Sequence, residues 1–375
     1  MQQLLLSWIL IGILELPATQ VGMIQAALGI PGLFVMLLGG ARADDRDPRL
    51  LLIRVYSYAP LLPLFLIVII SFGQLTIWSV LIWGLGVSFC VSYSSPAQQA
   101  ILNRIASSDV QKAVSAATAI AFSVQMLGLG IAGTMDELGL IPVLCFQGVC
   151  LGLGAVSIRL LEPQPPTNTN SESTYSNILA SLKAIYHQKV IMLTLLINFV
   201  SSIFNAGAFM TVFPFIVKRI YEGDALLLSF LMIVFYGGAT ASNFIMIRVM
   251  PLVRTGRIFL IMQLTRMLIL GVMWIQPSFW IFTLAAVAWG LNMGVTTTLA
   301  RTIVQESAGE EYRARIMSFY SRGLIGSAPI GALLLGWIIE SFGTLNGLIP
   351  AMMISIVLFI YGVLFSDVYK YHSPH

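Results

Sequence analysis

Apolar runs of about twenty residues, separated by short polar or charged breaks, set the pattern of this chain. A bilayer core of roughly 30 Å needs about 20 helical residues per crossing. By that measure the runs at 21–41, 50–72, 75–97, 110–134, 139–161, 190–215, 226–247, 258–276, 279–299, 316–342 and 347–366 each predict a membrane-spanning helix. An earlier run, 4–16, has only thirteen residues, about 20 Å of helix, which is too short to cross. It lacks the basic start and small-residue cleavage site of a signal peptide, so it reads as a short further span and not as a cleaved leader.

Composition sharpens the picture. Of 375 residues 58% are hydrophobic and 10% charged, and the mean hydropathy is +0.89. A soluble domain cannot hide that much apolar surface and still present a polar exterior, so the surplus faces lipid. The net charge of +4 gives no sign of a nucleic-acid partner. Cys90, Cys145 and Cys150 all fall inside apolar runs and read as packed thiols. The three histidines, His187, His372 and His375, lie outside the runs with no metal-ligand spacing, so no metal, cofactor or membrane-enzyme chemistry is expected.

The polar run 162–173 divides the chain into halves. The expected domains are 1–161 with spans one to six, a linker at 162–189, 190–366 with spans seven to twelve, and a tail at 367–375. Residues 176–189 carry apolar positions at helical spacing and predict a short surface helix in the linker. If the linker is cytoplasmic, sixteen of the twenty Lys and Arg lie in or beside cytoplasmic segments, which orients the chain with linker and tail inside. The halves also echo each other. DRDPRLLLI (45–53) answers VRTGRIFLI (253–261), and GLGIAGTMDELG (128–139) answers GALLLGWIIESFG (331–343). Internal repeats around a site near the midplane are the build of many secondary transporters.

Between spans two and three, GGARADDRDPRLLLIR packs six charged residues into positions 42–49. Gly40, Asp44 and Arg49 match the loop signature of the major facilitator superfamily, with Asp45 in place of the expected basic residue and Arg46 following it. SPAQQAIL (95–102) and QESAGEEYRARIMSFYSRGLIGSAPIGALLLG (305–336) also resemble this superfamily, most closely the bacterial exporter branch that includes the enterobactin exporter. The resemblance implies an all-α membrane fold of two pseudo-symmetric six-helix halves, with the first helix truncated here, either because the true start lies upstream, the leading expectation, or because the protein lacks half of that helix. It implies a monomeric secondary-active transporter in the bacterial inner membrane that moves a small organic molecule, drug-like or siderophore-like. An exporter driven by protons is the leading expectation. An importer of the same fold and a transport-inactive sensor are the alternatives.

In the resembled fold Asp44 meets the start of span eleven, near residues 315–318, and holds one face closed. Gly40, Asp44, Arg46 and Arg49 are therefore the expected gating motif, although the arginines could equally anchor topology. Asn198, Ser201, Ser202 and Asn205 share one face of span seven by their spacing. A polar face on a membrane helix belongs against a cavity or another helix. The resemblance makes spans one, four, seven and ten cavity-lining, which adds Asn292, with Ser88, Ser92 and Tyr93 undecided between lining and packing. Arg322, nearly two turns into span eleven, is a candidate contact for an anionic group. Arg266, in a peripheral helix, is expected to snorkel. Span five has Gly128 and Gly133 but Leu129 where antiporters of the superfamily usually carry proline. The acids Glu15, Asp136, Glu137 and Glu340 all fall near span ends, so no mid-span coupling carboxylate is visible.

Overall fold

The computed structural model describes residues 1–45, 47–105, 110–163, 188–249, 252–308 and 313–373. Within the helices it leaves undescribed the side chains of 33, 36–45, 103–105, 110–119, 313–315, 318 and 322. Of the expected linker helix at 176–189, residues 176–187 lie outside the described residues, as does Arg46, and Lys189 opens the following helix.

The fifteen α-helices among the described residues are α1 Gln2–Trp8, α2 Ala18–Asp45, α3 Pro48–Tyr58, α4 Leu61–Ser71, α5 Ile77–Ile105, α6 Val110–Gly133, α7 Met135–Leu138, α8 Leu140–Arg159, α9 Lys189–Gly207, α10 Phe213–Arg219, α11 Ala225–Val249, α12 Thr255–Trp274, α13 Phe279–Ser307, α14 Arg313–Phe342 and α15 Ile349–Leu364. Nine helical stretches among the described residues are long and apolar enough to cross a membrane. Gln2–Ile13 is apolar but shorter, as its run length predicts. The chain is an all-helical, multi-pass membrane protein.

Local chemistry explains the punctuation. Asp47 caps α3 by accepting the Arg49 amide at 2.8 Å, and Pro48 fills the first turn, where no amide partner is needed. The third run, read as one span, bends into α3 and α4 at Ala59–Pro60, since proline cannot donate to the preceding turn. Single π turns interrupt the first and seventh spans, at Ile9–Ile13 and Ala208–Val212. Such π turns appear often at functional sites. Both spans close on a left-handed residue, Glu15 and Glu222, each with φ 50°.

The chain packs as two compact units, and these differ slightly from the halves of the sequence. One holds Met1–Leu16, Met23–Asn170 and Asp224–Phe230; the other holds Pro17–Gly22, Ser171–Gly223 and Leu231–His375. The start of span two thus packs with the second half, and the start of span eight with the first.

In the first unit Leu51 and Leu52 of α3 pack on Ala97 and Ile101 of α5, and α3 and α4 also lie against α8. In the second unit α9 lies against α14, and α12 against α13 and α15. Its core joins Ile197, Phe259, Leu299 and Ile303 with Val368 of the tail. Beyond α9, Phe209 of the π turn and Phe213 of α10 form a ring cluster with Phe235 of α11 and Trp289 of α13, with Phe209 and Phe235 stacked at 4.1 Å between centroids. The cysteines depart from expectation. Cys145 and Cys150 are exposed on α8 and Cys90 is half-buried, so they are not packed thiols. An apolar run cannot tell a lipid-facing position from a helix-facing one, because both are apolar.

Candidate functional site

The polar face of α9 forms as the spacing predicts and is drawn into the second unit. Asn198 and Ser201 are buried, while Ser202 and Asn205 are half-buried. Their partners come from two neighbouring helices, α12 and α14, and from α9 itself. Asn198 faces Tyr320 of α14, whose hydroxyl donates to the Thr297 carbonyl at 3.2 Å. Ser202 accepts from Ser327 of the same helix at 2.6 Å. Asn205 turns its amide back to the Ser201 carbonyl at 2.7 Å, which leaves its Oδ1 buried without a partner.

Ser201 is held by Arg266, and here the structure corrects the sequence reading. Arg266 lies at the twelfth of the twenty positions of α12 and does not snorkel; it is only 5% exposed. Its Nε donates to Asn292 Oδ1 at 2.9 Å, its Nη2 to Thr296 Oγ1 at 3.1 Å, and its Nη1 to Gln263 Oε1 at 3.1 Å and to Ser201 Oγ. Snorkelling was expected because a cation near the middle of a span costs about 2.5 kcal/mol or more when left alone. It is not alone. Hydrogen bonds to a charged group contribute roughly 1.5–3 kcal/mol each, so four of them offset that cost.

The cage is itself braced. Asn292 donates to the Met262 carbonyl and to Thr265 Oγ1, both at 2.8 Å. Ser201 Oγ and Gln263 Oε1 are 3.1 Å apart. Asn292 therefore joins Ser201 of the expected site through Arg266. Sequence reasoning missed Gln263 and Thr296. Their signal was present in the spacing, since Gln263 is one turn from Arg266 and Thr296 one turn from Asn292. Arg322 lies in α14, but its side chain is outside the described residues. Of the span-four candidates, Ser88 gives its hydroxyl to the Leu28 carbonyl at 2.7 Å, and Tyr93 stacks on Phe89.

A second arrangement lies at the ends of the spans opposite the linker. Asp136, just past α6, accepts the Ala225 amide at the start of α11 at 2.8 Å and the Trp8 indole at 2.8 Å. Glu340, near the end of α14, accepts the Ala18 amide at the start of α2 at 3.0 Å and lies 3.5 Å from Arg219. The first amides of a helix have no intrahelical acceptor and carry its positive end, so a carboxylate there is stabilised. Each carboxylate therefore caps one helix and takes a second donor, Trp8 from the first span or Arg219 from the seventh. Below each cap the helices meet through small residues, Gly133 against Ser229 and Gly336 against Ala18 and Gly22. Ala18 and Ala225 are 207 positions apart, as are Glu15 and Glu222.

At the linker end, Arg49 donates from Nη2 to the Arg159 carbonyl at 2.7 Å, tying the start of α3 to the end of α8. Arg257, its repeat mate, stacks over Tyr369 just beyond α15, 5.6 Å from the ring centroid. Gly40 and Asp44 lie in α2 with their surroundings outside the described residues, as do the side chain of Arg315 and that of Ser318 on α14.

Residues 1–321 match the family model of the Major Facilitator Superfamily. A search of curated protein sequences finds no match. Solved structures similar to the chain include a crystal structure of a point mutant of the nucleoside transporter NupG, with TM-score 0.75, 13% identity, and coverage of 96% of this chain and 94% of that one. A POT family transporter in complex with 5-aminolevulinic acid matches with TM-score 0.73, 13% identity, and 99% and 93% coverage. A bacterial homologue of the human lysosomal transporter Spinster, inward-facing and occupied, matches with TM-score 0.63, 14% identity, and 97% and 92% coverage.

Proposed function

The chain belongs to the major facilitator superfamily, and from that premise we propose that it is a secondary-active exporter of a small organic molecule, drug-like or siderophore-like, coupled to protons. The observation that carries the transport reading is the buried polar face of α9, with Asn198, Ser201, Ser202 and Asn205 joined through Arg266 to Asn292. A membrane helix that faced only lipid or apolar neighbours would gain nothing from four such residues. Substrate meets this face, with Arg322 contributing from α14.

Alternating access needs contacts that hold one end shut and can be exchanged for contacts at the other. The Asp136 and Glu340 caps, each inside its own unit, are of the exchangeable kind, because a carboxylate on a helix start is a local contact that can break without unfolding either helix. Gly40, Asp44, Arg46 and Arg49 form the counterpart at the linker end. The outward direction follows the exporter-like segments of the sequence. The protein works as a monomer in a bacterial inner membrane, with linker and tail in the cytoplasm.

The test is uptake into everted membrane vesicles with an acidic interior, using a panel of cationic dyes and anionic siderophores. Gradient-dependent uptake is the expected result. Uptake driven only by the reversed gradient would make the protein an importer of the same fold. Binding with no flux under either gradient would make it a sensor.

A further inference from the structure

We infer that the second unit holds a subsite for an anionic group, a carboxylate or a comparable acceptor-rich anion, set by Arg266 and Gln263; the inference rests on the transport reading above and names its substrate class.

The first observation is an unmatched charge. Arg266 is buried half-way along its helix, and every partner found for it among the described residues is a neutral oxygen. Neutral oxygens solvate a guanidinium without cancelling its charge. Nor can the second half supply a carboxylate at this depth. Its acids between 190 and 366 are Glu222, Asp224, Glu306, Glu310, Glu311 and Glu340, all at or between helix ends. The other charge inside a span of this half, Arg322, is again a cation.

The second observation is an excess of donors. A guanidinium has five N–H groups, and four hydrogen bonds from Arg266 are found among the described residues. Gln263 is fully buried, its Oε1 is taken by Arg266 and Ser201, and its Nε2 has no partner. A buried amide nitrogen without an acceptor costs about as much as a lost hydrogen bond. A cation with a donor to spare, beside an amide with two, is answered by one kind of ligand: an anion with several acceptor lone pairs. A neutral ligand would fill the amide donors and leave the charge. A cationic ligand would meet repulsion from a fixed charge that cannot deprotonate under ordinary conditions.

Benzoate, benzamide and benzylammonium share a ring and differ in charge, and they serve as probes on the purified full chain. At an effective dielectric of ~20 even a unit charge about 10 Å away changes binding by roughly tenfold, so with the charge in contact benzoate should bind at least tenfold tighter than benzamide, with benzylammonium weakest. Gln263→Glu is the decisive variant. It is isosteric, places a carboxylate 3.1 Å from Nη1, cancels the charge and keeps Arg266 in place. It should abolish the preference for benzoate over benzamide. Arg266→Lys, which keeps the charge, should retain the preference, and Arg266→Gln should lose it.

No advantage for benzoate over benzamide in the unmodified protein, including the case in which neither binds, would overturn the inference. So would a Gln263→Glu protein of unchanged melting temperature that still prefers benzoate. Counterflow in proteoliposomes separates the two readings. Benzoate bound selectively but never moved leaves the anion subsite standing and defeats transport. Probes moved without regard to charge do the reverse.

Discussion

Asp136 Oδ2 lies 2.8 Å from the amide nitrogen of Ala225, so a carboxylate following one span caps the start of another. Glu340 does the same for Ala18 at 3.0 Å. The repeat seen in the sequence is therefore also a repeat of contacts, down to a second donor on each carboxylate. The exposed Arg219–Glu340 pair adds little by itself. The capping bonds are the larger part.

Removing either cap should weaken the fold modestly. Asp136→Ala and Glu340→Ala should each cost about 1 kcal/mol, the usual loss of a helix-start acceptor. Thermal unfolding in detergent reads the change. Because the two caps share no residue, the double variant should lose about the sum of the two; equal melting temperatures for all four proteins would mean the caps hold nothing.

The Arg266 cage predicts a sharper response. Asn292→Leu removes the acceptor of the Arg266 Nε and leaves a buried charged donor unsatisfied, which should cost about 1–3 kcal/mol. Asn292→Asp keeps that acceptor and adds an opposite charge but loses the bonds the amide gives to Met262 and Thr265, so it should melt between the leucine variant and the parent. A leucine variant as stable as the parent would show that Arg266 reaches water after all.

Two glycines should respond in opposite ways. A Cβ on Gly336 would stand 2.5 Å from the Ala18 carbonyl oxygen, so Gly336→Val should lose most folded protein in size-exclusion yield. Gly237 has open space around a new Cβ. Gly237→Ala should be neutral or stabilise its helix by up to about 1 kcal/mol.

The tail docks through Glu306, which accepts from Ser373 at 2.6 Å and from the Tyr371 hydroxyl at 3.2 Å. Burial, aided by the carboxylate of Glu306, raises the pKa of Tyr371 above the ordinary tyrosine value. A raised pKa means that the folded state favours the neutral phenol. Its contribution is thus full below the ordinary tyrosine value and is lost as pH rises through the raised one. Tyr371→Phe should melt slightly below the parent at neutral pH, and the gap should close in strong alkali. A gap that widens with pH would contradict this.

Run length and spacing alone determined that the protein crosses a membrane many times, that it is built twice, and that one face of the seventh span is polar. These are local properties: twenty apolar residues must span, and positions three, four and seven apart must share a side of a helix. The contacts were a different matter. Asp136 and Glu340 read only as acids near span ends, because nothing local names Ala225 or Ala18 as the amide each would meet. Arg266 read as a snorkelling cation because a sequence shows the charge and not the four oxygens that three other positions on two helices and one on its own bring to it. Cys145 and Cys150 read as packed because lipid and protein interior select the same apolar residues. Which buried polar group meets which is fixed when the helices pack, since only then does each donor find an acceptor in place of water.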